Sequence, residues 1–150
     1  MSVFVKVVFP LEFIEEGFPP ISVESLNARM DAHGYVLDNT PFFAVGVALG
    51  DRVEFEPISD KTDHYAFKRV VASSSNKALS IILLEAGTKE LVYQQFRERG
   101  CYCEYGEFGQ AGSLQMLAVS IPGDCDYEAA TRLLDDLEAQ GRLSYAELAV

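Results

Sequence analysis

The chain has 150 residues, 49% hydrophobic and 11% aromatic, enough apolar material for one packed domain or two small ones, which excludes a disordered chain. Its 23 acidic residues against 12 basic give a formal net charge of -11, a surface that repels nucleic acid and anionic membrane and draws basic partners. The amino terminus lacks a basic segment followed by an apolar one, and no apolar run approaches the ~18 residues of a membrane span, so a soluble cytoplasmic protein is expected.

Val3 to Phe9 is β-branched and aromatic and is closed by Pro10, which predicts a strand. Glu15 to Pro20 is a loop, because two prolines fit neither a ladder nor a helix interior. A short helix is expected from Ser22 to about Ala32, with Ser22 as N-cap, Leu26 and Met30 four apart on one face, and Gly34 as its stop. Tyr35 to Asn39 reads as a strand entering a turn at Thr40-Pro41. Phe42 to Leu49, apolar with little alternation, reads as a buried strand, with Gly46 marking a bulge or a close backbone approach. After a turn at Gly50-Asp51, Arg52 to Glu56 alternates with Val53 and Phe55 inward. Pro57 to His64 is polar loop, Tyr65 to Ala72 a further strand, and Ser73 to Asn76 a flexible joint.

Beyond residue 78 the pattern sharpens. Leu79 to Glu85 is an apolar strand, and Thr88 caps a helix to about Arg99 with Leu91, Val92 and Phe96 inward and Gly100 as stop. Cys101 to Phe108 alternates, with Cys101, Cys103 and Tyr105 on one face and Tyr102 and Glu104 on the other. Gly109 to Gly112 joins it to Leu114–Ile121 as a hairpin. Asp126 caps a helix to about Gln140, striped by Tyr127, Ala130, Leu134 and Leu137, and Ser144 to Val150 is the last strand. The predicted fold is α+β: a small β-rich unit over 1–75, a partial barrel with one short helix, packed on a ferredoxin-like βαββαβ unit over 76–150. The second unit's open sheet face must be covered, by the first half or by another copy.

Few constellations carry chemistry. Cys101 and Cys103 share a strand face, but a structural zinc site wants four ligands, and Cys125, His33 and His64 have no CxxC or HxxxH spacing, so the three cysteines read as reduced core residues and no metal or cofactor is expected. His33 falls at the expected helix C-terminus, where the dipole favours a cation. The run Asp60-Lys61-Thr62-Asp63-His64 could serve a general base, yet no nucleophile motif accompanies it, and it reads as a solvated loop. The glycines of Gly106 to Gly112 join two strands rather than opening a helix, which removes the geometry a phosphate loop needs. Among paired carboxylates, Glu15-Glu16, Asp124/Asp126 and Asp135-Asp136, the last two point apart on a helix and make no catalytic dyad. The second helix carries five acids, Asp126, Glu128, Asp135, Asp136 and Glu138, against one base, Arg132. An exposed aromatic among acids, Tyr102 for instance, is a natural interface anchor.

Several stretches together, Val7-Val8-Phe9-Pro10-Leu11-Glu12, Pro20-Ile21-Ser22-Val23-Glu24-Ser25-Leu26, Gly34 to Asn39 with Pro41-Phe42-Phe43, and Gly46 to Asp51, resemble an uncharacterised bacterial family, domain of unknown function 4265. The resemblance brings no reaction; it implies a bacterial, cytoplasmic, stand-alone protein. Two functions are then expected to compete. The first is a non-enzymatic, acidic protein-binding inhibitor, an immunity-type protein that neutralises a toxin or effector by occluding a basic site with Asp126, Glu128, Asp135, Asp136, Glu138 and Tyr102. The second is a small-molecule sensor or enzyme with a pocket between the two units, lined by Asp38, Asp63, His64 and Tyr65.

Overall fold

The computed structural model describes residues 3–58, 60 and 63–150; Met1, Ser2, Ser59, Lys61 and Thr62 lie outside the described residues, and with them part of the Asp60 to His64 run. The fold is mixed α and β, with strands in two sheets and two α-helices. In the first half, β1 (Phe4–Pro10), β2 (Val23–Asp31), β3 (Gly34–Leu37), β4 (Arg52–Pro57) and β5 (His64–Ala72) close into a barrel. Neighbours pair antiparallel except at the closure, where β1 and β5 run parallel with Lys6 opposite His64 and Val8 opposite Ala66. Closure removes the free sheet edges of an open sheet. The interior is filled by Val5, Val7, Phe9, Leu26, Ala28, Leu37 and Val53, with Ala44 and Val47 packed among them.

Two secondary-structure expectations fail in this half. The expected helix over 22–32 is β2. Glu24, Leu26 and Ala28 are buried while Val23 and Ser25 are exposed, which is a period of two. The Leu26–Met30 spacing that suggested a helix is a multiple of two, so it fits one strand face equally well. Ser22 caps nothing; its carbonyl accepts from the Leu11 N–H at 2.9 Å. His33 accordingly sits in the β2–β3 turn, its N–H donating to Asp31 Oδ1 at 2.8 Å, and not at a helix end.

The expected buried strand over 42–49 is an irregular segment. A ladder would have needed its amides, but three in succession donate to one carboxylate: Phe42 N to Glu24 Oε2 at 2.7 Å, and Phe43 N and Ala44 N to Glu24 Oε1 at 3.0 and 2.8 Å. Gly46 has φ +84°, which takes the chain out of the extended region. A second carboxylate, Asp51, ties the end of this segment to the connector toward the second half. It accepts from Ala48 N at 2.9 Å and Ser74 N at 2.8 Å, while Asn76 Nδ2 donates to Leu49 O at 2.7 Å. The stretch from Ser73 to Asn76, expected as a flexible joint, is thus held by several hydrogen bonds.

The second half runs β6 (Lys77–Leu83), α1 (Thr88–Glu98), β7 (Tyr102–Phe108), a short 3-10 turn, β8 (Leu114–Ile121), α2 (Tyr127–Ala139) and β9 (Leu143–Ala149). The four strands are antiparallel in the order β7-β8-β6-β9. α1 begins one residue earlier than expected: Gly87, with φ +85°, is the N-cap and Thr88 is buried inside the first turn. Val92 and Phe96 of α1 and Ala130, Leu134 and Leu137 of α2 pack on Leu79, Ile81, Leu117, Val119 and Ile121, so both helices cover one sheet face.

The opposite face meets the barrel's 38–50 segment. Ala48 packs with Ala78 and Leu148, the Gly46 N–H donates to Leu148 O at 2.9 Å, and the Phe42 and Phe43 rings both lie edge-on to Phe108 at 5.0 Å. Gly106 permits this: a Cβ there would stand 2.9 Å from the rings of both Phe42 and Phe108. Glu104 of β7 adds a polar clasp, accepting from Thr40 N at 3.0 Å and from Asn39 Nδ2, whose own Oδ1 accepts from Asn27 N of β2 at 2.8 Å. The first half, not a second copy, therefore covers this face.

Candidate functional site

The acids of the second helix stand where an amphipathic helix must put them. Its apolar stripe is buried on the sheet, which turns Asp126, Glu128, Asp135, Asp136 and Glu138 outward and leaves them exposed. Asp126 is the N-cap, with extended backbone and its Oδ1 accepting from Ala129 N at 3.1 Å; Glu128 in the first turn complements the helix dipole.

Two tyrosines fix part of this acidic face. On β9, the Tyr145 hydroxyl donates to Asp135 Oδ1 at 2.5 Å and its backbone N–H donates to Glu138 Oε2 at 3.1 Å. From the start of α2, the Tyr127 hydroxyl donates to Glu147 Oε2 at 2.6 Å. Burial first, then the neighbouring carboxylates, push both phenols well above the ordinary tyrosine range, so they stay protonated donors throughout physiological pH. The result is a ridge along α2 and the edge strand β9: Asp135, Glu138 and Glu147 held in defined positions, with Glu128 and Asp136 beside them carrying no side-chain bond to a described residue.

Tyr102 does not join this ridge. It lies on β7 at the far edge of the sheet, 49% exposed, and β7 alternates so that Cys101 and Cys103 face the helices while Tyr102 and Glu104 face the barrel side. The five helical acids are brought together; the aromatic named with them is on the other face of the sheet.

The cysteines remain thiols. Burial, then the neighbouring Cys125 thiol, pushes Cys101 up to about 12, and burial pushes Cys103 up to about 11, which makes both poor nucleophiles and poor metal ligands. Cys101, Cys103 and Cys125 all pack against the helix-side core. Among the described residues no group of three His, Cys, Asp or Glu is arranged to hold a metal ion. The residues expected to line a pocket between the units are dispersed. Asp38 lies at the end of β3, its N–H on Asn27 O at 2.8 Å, whereas His64 and Tyr65 open β5, which is not a neighbour of β3 in the barrel. Two surface clefts lie on the second half instead. One of about 240 Å³ is lined by Tyr93, Arg97, Cys101, Tyr102 and Cys103, and one of about 400 Å³ sits before α1 around Glu85, Lys89, Glu90 and Gln115. No described helix is long and apolar enough to cross a membrane.

A family described as Domain of unknown function (DUF4265) matches residues 24–145. The chain belongs to this family. For this DUF4265 protein, comparison with curated proteins gives no match. A solved structure, described as a novel crystal structure of a hypothetical protein from Neisseria gonorrhoeae, superposes with a TM-score of 0.72 over 99% of this chain and 95% of that one. At 21% identity that likeness shows a shared fold.

Reading the DUF4265 sequence alone misses Tyr145 and Glu147 and places Tyr127 only on the helix's inner stripe. The Tyr127 ring does pack against the core, and its hydroxyl then reaches out to β9. One signal was available: alternation in β9 puts Tyr145 and Glu147 on one strand face, beside the helix that precedes it.

Proposed function

We propose that this protein is an acidic protein-binding inhibitor, of the immunity type, that acts in the cytoplasm by occluding a basic site on a toxin or effector protein. The observation that carries the reading is the ridge of α2 and β9, where Tyr145 and Tyr127 hold Asp135, Glu138 and Glu147 in place. A carboxylate already oriented loses less side-chain freedom on binding, so a fixed acidic ridge is suited to meeting arginines and lysines of a partner. Charge complementarity of this kind sets on-rate and partner choice, while apolar contact sets the lifetime of the complex. The same reading takes residues 76–150 as a ferredoxin-like unit, supported by the βαββαβ order, and residues 1–75 as a separate small barrel that braces it.

The test is affinity capture of the tagged chain from its native cytosol at low and at high salt, followed by association kinetics with the partner identified. One stoichiometric basic partner whose association slows about tenfold in Glu128→Lys plus Asp136→Lys supports the reading. Those two acids are chosen because their side chains carry no bond to a described residue. Capture of no partner, or association that ignores both salt and charge reversal, overturns it.

A further inference from the structure

The loop between β1 and β2 presents two strongly exposed large apolar side chains that are neighbours in the chain, Ile14 at 80% and Phe13 at 67%. The tip is not a loose end. Leu11 N–H bonds to Ser22 O at 2.9 Å at the base, Ile14 N–H to Phe18 O at 3.0 Å, and Phe18 N–H back to Glu15 O at 3.0 Å, with Gly17 at φ +78° supplying the turn. Phe18 then packs edge-on to Phe43 at 5.7 Å, and Phe43 to Phe108 at 5.0 Å, so the loop is seated on the junction of the two halves. Every bond that shapes the loop leaves Phe13 and Ile14 pointing at water. Adjacent apolar side chains held out in this way are the kind of surface that marks a binding site.

The charge around the tip limits what can cover it. Glu12, Glu15 and Glu16 flank it, and no Lys, Arg or His occurs between Lys6 and Arg29. A second copy would set acid against acid, in a chain whose formal net charge is -11. An anionic membrane surface would repel the same three carboxylates. What fits is a protein surface with an apolar pocket rimmed by lysine or arginine.

We infer that Phe13 and Ile14 form the apolar anchor of a docking site whose occupant is a basic protein surface, with Glu12, Glu15 and Glu16 as its charged rim. The inference rests on the proposed inhibitory reading and places an apolar anchor on the β1–β2 loop, at the β7 edge and apart from the α2–β9 ridge. A rigid apolar pair that fills a pocket, ringed by polar contacts that exclude water, is the arrangement in which a few residues dominate binding.

The probe is a phage-displayed random peptide library, panned against the immobilised full-length chain at low salt. Each enriched peptide is then measured by fluorescence anisotropy against three proteins: the parent chain, Phe13→Ser plus Ile14→Ser, and Glu128→Lys plus Asp136→Lys. Both tip residues are solvent-exposed, so the tip variant keeps the parent's circular dichroism and melting temperature. The expected result is enrichment of peptides that mix Lys or Arg with apolar residues and lose roughly tenfold or more affinity for the tip variant. Basic peptides that bind the tip variant unchanged but fail on the helix variant overturn the anchor and leave the inhibitory reading standing. Enrichment of no basic peptide overturns both. A parent chain that sediments as a dimer and a tip variant that sediments as a monomer would also overturn the anchor, because a second copy would then be the occupant.

Discussion

The barrel buries two carboxylates, Glu24 at 7% exposure and Asp51 at 4%, whereas among the described residues the core beneath α1 and α2 contains no charged side chain. The difference follows from how each half connects its strands. In the second half the crossovers are helices, which satisfy their own amides, so only apolar stripes need to reach the sheet. In the barrel, the segment from β3 to β4 crosses the junction without secondary structure and carries its amides into buried surroundings. Each must find an acceptor, and a carboxylate that accepts several at once is an economical one. Glu24 serves Phe42, Phe43 and Ala44; Asp51 serves Ala48 and Ser74.

The first way to break this contrast is Glu24→Ala. It leaves three amides without their acceptor and should destabilise the protein by about 3 kcal/mol, read as a lower urea midpoint. Amide exchange at Phe42, Phe43 and Ala44 should accelerate far more than at Leu117 or Val119. Uniform acceleration across both halves would mean that the junction segment is no local unit.

Next in size is Gly106→Ala, which acts on the seam between the two regions. Its Cβ meets the Phe42 and Phe108 rings at 2.9 Å, so one ring must move, at about 2 kcal/mol. Ring-proton shifts of Phe42, Phe43 and Phe108 report it; unchanged shifts with unchanged stability would show that the rings have room.

The smallest effect is a pH dependence confined to the barrel rim. Arg52 reaches Asp31 with two guanidinium nitrogens at 2.7 and 2.9 Å, and this pairing, followed by the His33 N–H, holds the Asp31 carboxyl below its ordinary value of 3.8. A depressed value stabilises the fold above 3.8 and loses that contribution as pH falls through the lower folded value. The melting-temperature gap between the parent and Asp31→Asn should therefore be constant above that pH and shrink below it. Glu24 has the opposite sign. Burial raises its value above 4.5 against the three amides that lower it, so its contribution is fully present below 4.5 and declines as pH rises through the folded value. A gap for Asp31→Asn that widened in acid would reverse the assignment of the rim pair.

Legibility followed the same division. The second half could be read in order because α1 and α2 carry apolar stripes at helical spacing, and Asp126, Gly100 and Gly141 punctuate them locally. The family resemblance was likewise carried by turn and strand motifs, most of which lie within the residues 24–145 that the family matches. In the first half, Leu26 and Met30 satisfied a helix and a strand alike, and nothing near them in sequence could decide. The ridge acids were visible as a charged helix face, but not the tyrosines that hold them, because Tyr145 and Glu147 arrive from another element.

By itself, then, the chain's local chemistry determined the strands and helices after residue 76, the Asp126 cap and the glycine stops, and the acidic character of α2. The tertiary structure alone decided that residues 23–31 form a strand, that the 42–49 segment gives up a ladder for the Glu24 carboxylate, and that Phe13 and Ile14 remain in water. The reason is range. A cap or an apolar stripe is settled within a few residues, whereas closure of the barrel by β1 and β5, and the burial of a carboxylate under a segment that follows it, depend on partners far along the chain.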